Sequence, residues 1–288
     1  MRKKQLKSNF FTIVALTLTL SSGLLCQASE GLELAPERMD EGDLEVRFAD
    51  RARPGGFLSR EALLALPVEE RELYIPYVDA HFSATILPLS ELLSALGKDA
   101  ESSVLSYSYD GYVSFYPPEF TAEYAPFILL ELEGFASGDL NLEGGPDLGP
   151  YYITFAGEIE KGSEVYPDPD NKRPFGVNQI TIGAYDHLMA PLYSGRFADL
   201  TPIQQSGRHL WIHNCMSCHA WTEGGVGGDL SNRTAEFISI HARHNRRYFY
   251  DMVRDPAKLI SDVKMPNHHH YEDAQIEAIR LFLRQFPR

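Results

Sequence analysis

Cysteine is scarce in this chain of 288 residues, which has only Cys26, Cys215 and Cys218. Three cysteines leave little room for a disulfide framework of the kind that holds small secreted domains together. A structural zinc site needs a second pair of ligands at a suitable spacing, and no cysteine follows Cys218. The low count directs attention to the close pair at positions 215 and 218.

Basic residues are also in deficit, with 26 Lys and Arg against 40 Asp and Glu and a formal net charge of −14. Residues 29–200 contain 31 acidic and 11 basic residues, a net charge of −20, whereas residues 201–288 contain 9 and 11, a net charge of +2. An acidic surface repels phosphates, so we do not expect nucleic acid as a partner. Arg243, Arg246 and Arg247 either face an acidic docking surface or are simply solvated on a helix.

Long apolar runs are missing beyond the N-terminus, since no later segment approaches the about 18 apolar residues of a membrane span. The N-terminus has the three parts of a secretory signal peptide, a basic segment, a short apolar core and a small-residue cleavage site, at residues 2–7, 10–20 and 26–28. We predict a signal peptide over residues 1–28 and a periplasmic mature protein. Cys26 is an alternative site for a lipid anchor, although Leu25 stands where such sites usually have a small residue.

The close cysteine pair belongs to the run Cys215-Met216-Ser217-Cys218-His219, which has the C-x-x-C-H pattern of covalent haem attachment. The two thiols would add to the vinyl groups of the porphyrin, and His219 would lie under the iron as an axial ligand. A structural disulfide and half of a zinc site are the alternatives. Cleavage after residue 28 would leave no other cysteine in the mature chain, so we predict one haem c.

Met265, in the run Lys264-Met265-Pro266, is the expected second axial ligand. A thioether is soft and neutral, so it favours reduced iron and raises the potential, as electron transfer requires. Six-coordinate iron also leaves no position for oxygen or substrate. Alternative sixth ligands, which would lower the potential, are His209, His213, His241, His244, His268, His269 and His270. The run 268–270 is otherwise interpreted as exposed residues or a weak adventitious metal site.

The pattern of apolar and turn-forming residues predicts two domains with different secondary structure. Residues 29–57 are charged and lack apolar periodicity, so we expect a tail or linker there. Residues 58–198 are predicted to form an α+β domain. Its expected helices cover residues 58–66 and 89–96, and its expected strands cover residues 72–78, 104–109, 127–133, 151–155 and 176–182.

Residues 199–288 are predicted to be all-α, with helices over residues 204–214, 246–254 and 271–286. Thr201 suits the N-cap of the first of these helices, and Pro202 suits its first position. The last helix has one apolar stripe at helical spacing, formed by Ile276, Ile279, Leu283 and Phe286.

Residues 201–286 resemble class I cytochromes c. The resemblance is carried by the haem motif and by Gly207, Leu210, Trp211, residues 227–230, residues 255–256, Met265 and Phe282. It implies that Gly207 allows the first and last helices to cross closely, and that His219 and Met265 are the axial ligands. Gly228 stands where the family has a proline whose carbonyl accepts a hydrogen bond from the axial histidine, so the resemblance implies that role for Gly228.

Residues 58–155 resemble, through shorter motifs, the molybdopterin-binding domain of the sulfite oxidase family. The motifs are residues 59–67, 87–93, 109–112 and 144–146. That family binds molybdenum through a cysteine thiolate, and no cysteine lies between residues 29 and 214. We therefore expect a sulfite-oxidase-like fold without molybdenum, which positions the cytochrome or recognises a partner.

The expected function is that of a one-electron carrier between a redox protein donor and a redox protein acceptor, rather than an enzyme. One alternative is an enzyme of the sulfite dehydrogenase type, in which the first domain passes electrons to the haem. A second alternative is a haem-based sensor.

Overall fold

A computed structural model describes residues 32–50, 53–139 and 142–287 of the chain. The expected signal peptide and Cys26 lie outside the described residues. None of the described helices has the length and apolar character that a membrane crossing requires.

The described residues form ten strands in two sheets. The strands are β1 (Leu44–Phe48), β2 (Gly56–Leu58), β3 (Glu69–Ile75), β4 (Ala80–Pro88), β5 (Ser103–Ser108), β6 (Val113–Tyr116), β7 (Phe127–Leu132), β8 (Phe135–Ala136), β9 (Tyr152–Thr154) and β10 (Val177–Gly183). The first sheet has the order β2-β1-β10-β5-β6, and β1 pairs with β10 in parallel. The second has the order β3-β4-β7-β8, with β9 also paired to β7. The five predicted strands are all present, with ends shifted by at most three residues.

Part of the segment that the sequence assigns to a tail or linker is instead a strand inside the first sheet. In β1 the side chains of Leu44, Val46 and Phe48 are buried, while Glu45 and Arg47 form an ion pair at 2.6 Å between them. Alternation of buried and charged residues is the pattern of a strand with one face on the core. High charge over the whole segment obscured this short alternation.

The described helices are α1 (Arg60–Leu64), α2 (Leu89–Ala95), α3 (Pro118–Tyr124), α4 (Tyr185–Leu188), α5 (Ala190–Tyr193), α6 (Pro202–His213), α7 (Ala235–His244), α8 (Arg246–Arg254) and α9 (Asp273–Leu283). The five predicted helices are confirmed as α1, α2, α6, α8 and α9. Helix α6 begins as expected, because the backbone N–H of Thr201 donates to Oε1 of Gln204 at 2.9 Å and Pro202 is its first residue.

Helices α6 and α9 cross at Gly207, as the resemblance to class I cytochromes c implies. A Cβ atom on Gly207 would lie 1.9 Å from the carbonyl oxygen of Ala278, so only glycine fits at this point. The predicted apolar stripe of α9 is buried in the same core. The crossing therefore packs the first helix of the C-terminal region, which leads into the C-x-x-C-H motif, against the last helix.

One buried hydrophobic cluster joins strands of the first sheet to the C-terminal helices. Residues 31–288 form one compact unit, and its largest buried cluster joins Leu105 of β5 and Val113 and Phe115 of β6 to residues of α6, α7 and α9. The neighbouring residues Val104 and Tyr116 belong to a different cluster on the opposite face of the same strands. The division of the chain at residue 199 stays a prediction, but the two regions are packed against each other.

Candidate functional site

The C-x-x-C-H motif lies directly at the C-terminal end of α6. Residues Cys215–Ser217 form a short 3₁₀ turn, and the backbone N–H of His219 donates to the carbonyl of Cys215 at 3.0 Å. This turn places both cysteines and the histidine on a backbone segment that α6 holds in position.

Cys215 and Cys218 are both free thiols and partly buried. Burial raises the pKa of Cys215 to about 12 and that of Cys218 to about 11, with a smaller effect from the acidic side chain of Asp168. A redox-active C-x-x-C pair has the opposite property, because its attacking cysteine is held as a thiolate by a lowered pKa. The surroundings of these thiols therefore do not favour disulfide exchange.

His219 is fixed by a single hydrogen bond to the backbone. Its Nδ1 atom lies 2.7 Å from the carbonyl oxygen of Arg233. Because a carbonyl can only accept, Nδ1 must carry the proton, and the lone pair of Nε2 stays free for a metal ion. A ligating histidine is commonly oriented in this way through its second nitrogen. Burial also lowers the pKa of His219, which favours the neutral, ligating form.

The acceptor of this hydrogen bond differs from the one that the resemblance to class I cytochromes c implies. Gly228 does not supply it; its own N–H donates to the carbonyl of Met216 at 2.8 Å. A Cβ atom on Gly228 would lie 2.0 Å from the carbonyl oxygen of Ser217. Gly228 is thus packed directly against the backbone of the motif. The acceptor for the imidazole of His219 is instead the carbonyl of Arg233, five residues later.

Two buried hydrogen-bond donors close to the motif have no hydrogen-bond partner in the part of the chain that the structure describes. The indole ring of Trp211 lies 6.1 Å from the imidazole of His219, and Tyr271 lies near enough for Cys215 to contribute to the raised pKa of its phenol. Neither Nε1 of Trp211 nor the hydroxyl of Tyr271 makes a hydrogen bond. Buried donors are normally paired, so these two suit a bound group with acceptor oxygens, such as the carboxylates of a porphyrin. With two free thiols and an oriented imidazole, the donor set fits haem c.

Met265 lies partly buried in the loop between the 3₁₀ turn Pro256–Lys258 and α9. This loop runs past the motif, since the charge of His268, three residues later, contributes to the lowered pKa of His219. The backbone of the loop is held by a hydrogen bond of 3.2 Å from the N–H of His268 to the carbonyl of Arg254. The structure therefore brings the loop that carries Met265 to the side of the motif.

The other candidate histidines fall into separate groups. His209 and His213 lie on α6 with ring centroids 4.2 Å apart, and Nδ1 of His213 lies 3.1 Å from Nζ of the buried Lys172. Burial, together with the charge of Lys172, lowers the pKa of both histidines. Meanwhile His268 and His270 lie close to Asp168.

A turn from the β-sheet region contacts the loop after the motif. The backbone N–H of Asp229 donates to the carbonyl of Gly111 at 3.0 Å, and a Cβ atom on Gly111 would lie 1.8 Å from Oδ1 of Asp229. Gly111 has a φ angle of +90°, which glycine adopts readily. The turn at residues 109–112, identified from its sequence, therefore packs against the loop that follows the C-x-x-C-H motif.

Sequence reasoning missed Asp168 and Lys172, both of which lie beside the cytochrome region. Asp168 precedes the 3₁₀ turn Pro169–Lys172 and Lys172 ends it, and neither residue belongs to a motif. The unusual run of three histidines at residues 268–270 was the only sign of a site in the sequence, and it did not indicate that Asp168 lies beside two of them.

Residues 203–283 match the family model described as cytochrome C oxidase, cbb3-type, subunit III. The match begins in α6, contains the motif and Met265, and ends at the last residue of α9. The C-terminal part of the chain is therefore a cytochrome c domain, and such a domain binds haem. No curated protein matches the chain. The region before residue 203 is a mixed-sheet region with short helices.

Proposed function

We propose that this protein is a periplasmic monohaem c-type cytochrome that carries one electron at a time between two redox proteins. In this proposal Cys215 and Cys218 attach the haem covalently, and His219 and Met265 are the axial ligands. The observation that carries the proposal is the hydrogen bond from His219 to the carbonyl of Arg233, because it presents Nε2 as a ligand directly beside two free thiols. The family description names a subunit of an oxidase, which supports a redox protein as partner.

Bound haem would supply reversible one-electron exchange between ferric and ferrous iron. The residues of the chain would hold the imidazole at a fixed orientation, exclude water and keep the cofactor in place. Trp211 is buried with its ring 6.1 Å from that of His219, and it would shield the imidazole from water. Because the ring of His219 is fixed, little rearrangement would accompany a change of oxidation state.

Met265 suits the role of second ligand because of its chemistry and its place. A neutral thioether stabilises reduced iron more than a histidine does. The loop that carries it is tied to α8 by the bond between His268 and Arg254 and leads into α9, which packs on α6. These contacts support a ligand that stays bound in both oxidation states.

For residues 58–198 we propose a sulfite-oxidase-like fold that has no molybdenum and positions the cytochrome domain. A cleft of about 520 Å³ between these residues and the segment before β1 is lined by Asp40, Glu41, Asp139 and Asp147, with Arg60 as its only basic side chain among the described residues. The guanidinium of Arg60 already donates to the carbonyls of Leu130 and Pro150. An acidic lining repels an anionic pterin phosphate, so the cleft supports the carrier over the sulfite dehydrogenase alternative.

Metal analysis of the purified protein, combined with its absorption spectrum, tests the proposal. We expect one iron per chain, no molybdenum, and a haem that stays with the polypeptide after denaturation. In Met265→Ala the sulfur-to-iron charge-transfer band of the oxidised protein should disappear and the potential should fall. Met252→Ala, at a partly buried position on α8, is the matched control and should keep the band.

Each alternative has its own signature in the same experiments. One molybdenum per chain would contradict the proposed carrier and support an enzyme of the sulfite dehydrogenase type. Rapid binding of carbon monoxide to the reduced wild-type protein would indicate an open iron and a sensor. Retention of the charge-transfer band in Met265→Ala would show that another residue is the second ligand.

A further inference from the structure

Three metal-binding side chains from two distant segments meet outside the C-x-x-C-H motif. Asp168 comes from the loop before the 3₁₀ turn Pro169–Lys172, whereas His268 and His270 come from the loop before α9. One ligand atom from each lies within 4.8 Å of the other two. Nδ1 of His268 is 3.1 Å from Oδ2 of Asp168. Around a tetrahedral ion with bonds of about 2.1 Å, ligand atoms lie about 3.4 Å apart, so this triangle needs only small adjustments.

The nitrogen atoms of the cluster lack the hydrogen bonds that a purely structural role would give them. Nδ1 of His268 and Nε2 of His270 are both buried and make no hydrogen bond with any of the described residues. Nδ1 of His268 therefore has only the Asp168 carboxylate as an ion-pair partner at 3.1 Å among the described residues, and Nε2 of His270 has no hydrogen-bond partner among them. Buried nitrogen atoms without a hydrogen bond are uncommon in proteins, and a cation between these two atoms and the carboxylate would satisfy all three side chains.

The surrounding residues leave the Asp168 carboxylate available. Lys161, whose charge acts on Asp168, is itself paired with Asp170 at 2.7 Å. The side chains of Asp168 and His268 are only 12% and 13% exposed, so water screens them weakly. A side-chain hydrogen bond links the two segments, since Nε2 of Gln275, in the first turn of α9, donates to the backbone carbonyl of Ser163 at 3.3 Å.

We propose that Asp168, His268 and His270 form a binding site for one divalent transition-metal ion, separate from the haem. Two imidazoles and a carboxylate suit Zn²⁺, Cu²⁺ or Ni²⁺ and leave at least one coordination position for water. The ion would join the loop at residue 168 to the loop that carries Met265. It would therefore tie the β-sheet region to the cytochrome domain at the point where the second axial ligand is presented.

Titration of the holoprotein with Zn²⁺, after treatment with a chelator, tests the site. We expect calorimetry to show one Zn²⁺ bound per chain and a rise in melting temperature, because binding to the folded state stabilises it. Asp168→Asn, His268→Ala and His270→Ala should each weaken binding by at least about tenfold, since even outer-shell substitutions at metal sites have effects of that size.

His269→Ala is the matched control, because His269 lies between the two ligands in sequence but is exposed and outside the cluster. It should bind Zn²⁺ like the wild type. Circular dichroism should show that every variant is folded. Failure of the wild type to bind Zn²⁺, or equal loss of binding in His269→Ala, would overturn the proposal. The proposal would also be overturned if His268→Ala lost the methionine charge-transfer band but bound Zn²⁺ like the wild type. That result would show that His268 acts on the haem rather than on the metal ion.

Discussion

Lys172 is a lysine whose amino group has almost no contact with water. The residue is 1% exposed, its Nζ donates to the carbonyl of Phe115, and Nδ1 of His213 lies 3.1 Å away. Burial lowers the pKa of Lys172 to about 7. Protonation of this amino group therefore destabilises the folded state, so the free energy of unfolding depends on pH.

We predict that Lys172→Met removes a rise in stability that the wild type shows between pH 7 and 9. Below pH 7 Lys172 is protonated in both states, and the folded state bears the full cost of burying its charge. Between the folded pKa of about 7 and the unfolded value of 10.5, the unfolded chain holds a proton that the folded chain lacks. The free energy of unfolding then rises by up to about 1.4 kcal/mol per pH unit.

Urea unfolding at a series of pH values, followed by circular dichroism, measures this slope. Lys258→Met is the control, since Lys258 is exposed on the 3₁₀ turn after α8, and it should keep the wild-type slope. An unchanged slope in Lys172→Met would show that another group causes the pH dependence.

Among the secondary-structure elements, helices α6 and α9 pack so closely that the backbone of α9 touches Gly207 of α6 directly. We predict that Gly207→Ala destabilises the protein by about 1–3 kcal/mol, the usual cost of forcing extra atoms into a packed core. A methyl group 1.9 Å from the carbonyl oxygen of Ala278 would push the helices apart.

Ser206→Ala provides the comparison, because the adjacent Ser206 is exposed on the same helix and alanine is the better helix former. Its free energy of unfolding should equal or slightly exceed that of the wild type. If Gly207→Ala had the same stability as Ser206→Ala, the close crossing of α6 and α9 would be refuted.

Elements with local patterns could be predicted from the sequence, and elements defined by distant partners could not. Helix α6 was identified because Thr201 and Pro202 mark its start. Strand β1 was missed because its short alternation lies in a highly charged segment and its burial depends on pairing with β10, more than 100 residues along the chain. The site shows the same limit. The C-x-x-C-H motif is local, whereas the pairing of His268 with Asp168 joins segments that have no common sequence pattern.

At the scale of the whole molecule, the shared core determines how the chain unfolds. Phe115 lies on β6 of the sheet but packs in the cluster of the cytochrome helices, and its ring centroid is 5.5 Å from that of His213 on α6. A cluster built from both regions couples their stabilities, so the described residues should behave as one cooperative unit.

We predict that Phe115→Ala lowers the free energy of unfolding by about 3–5 kcal/mol, and equally when followed by haem absorbance or by far-ultraviolet circular dichroism. Phe135→Ala, at a position that is 56% exposed, should change it by less than about 0.5 kcal/mol. Two separate transitions in the wild type, or a shift of only one signal in Phe115→Ala, would show that the regions are independent.

The crossing of α6 and α9 also has a consequence for the order of events during synthesis. The chain grows from its N-terminus, so α6 and both cysteines emerge well before Ala278 is made. Until that moment the Gly207 face of α6 has no neighbour, and the turn at Cys215 and Cys218 is attached to an unfinished structure. The packing that holds this turn in position is therefore completed only when the last helix has been made and crosses the first.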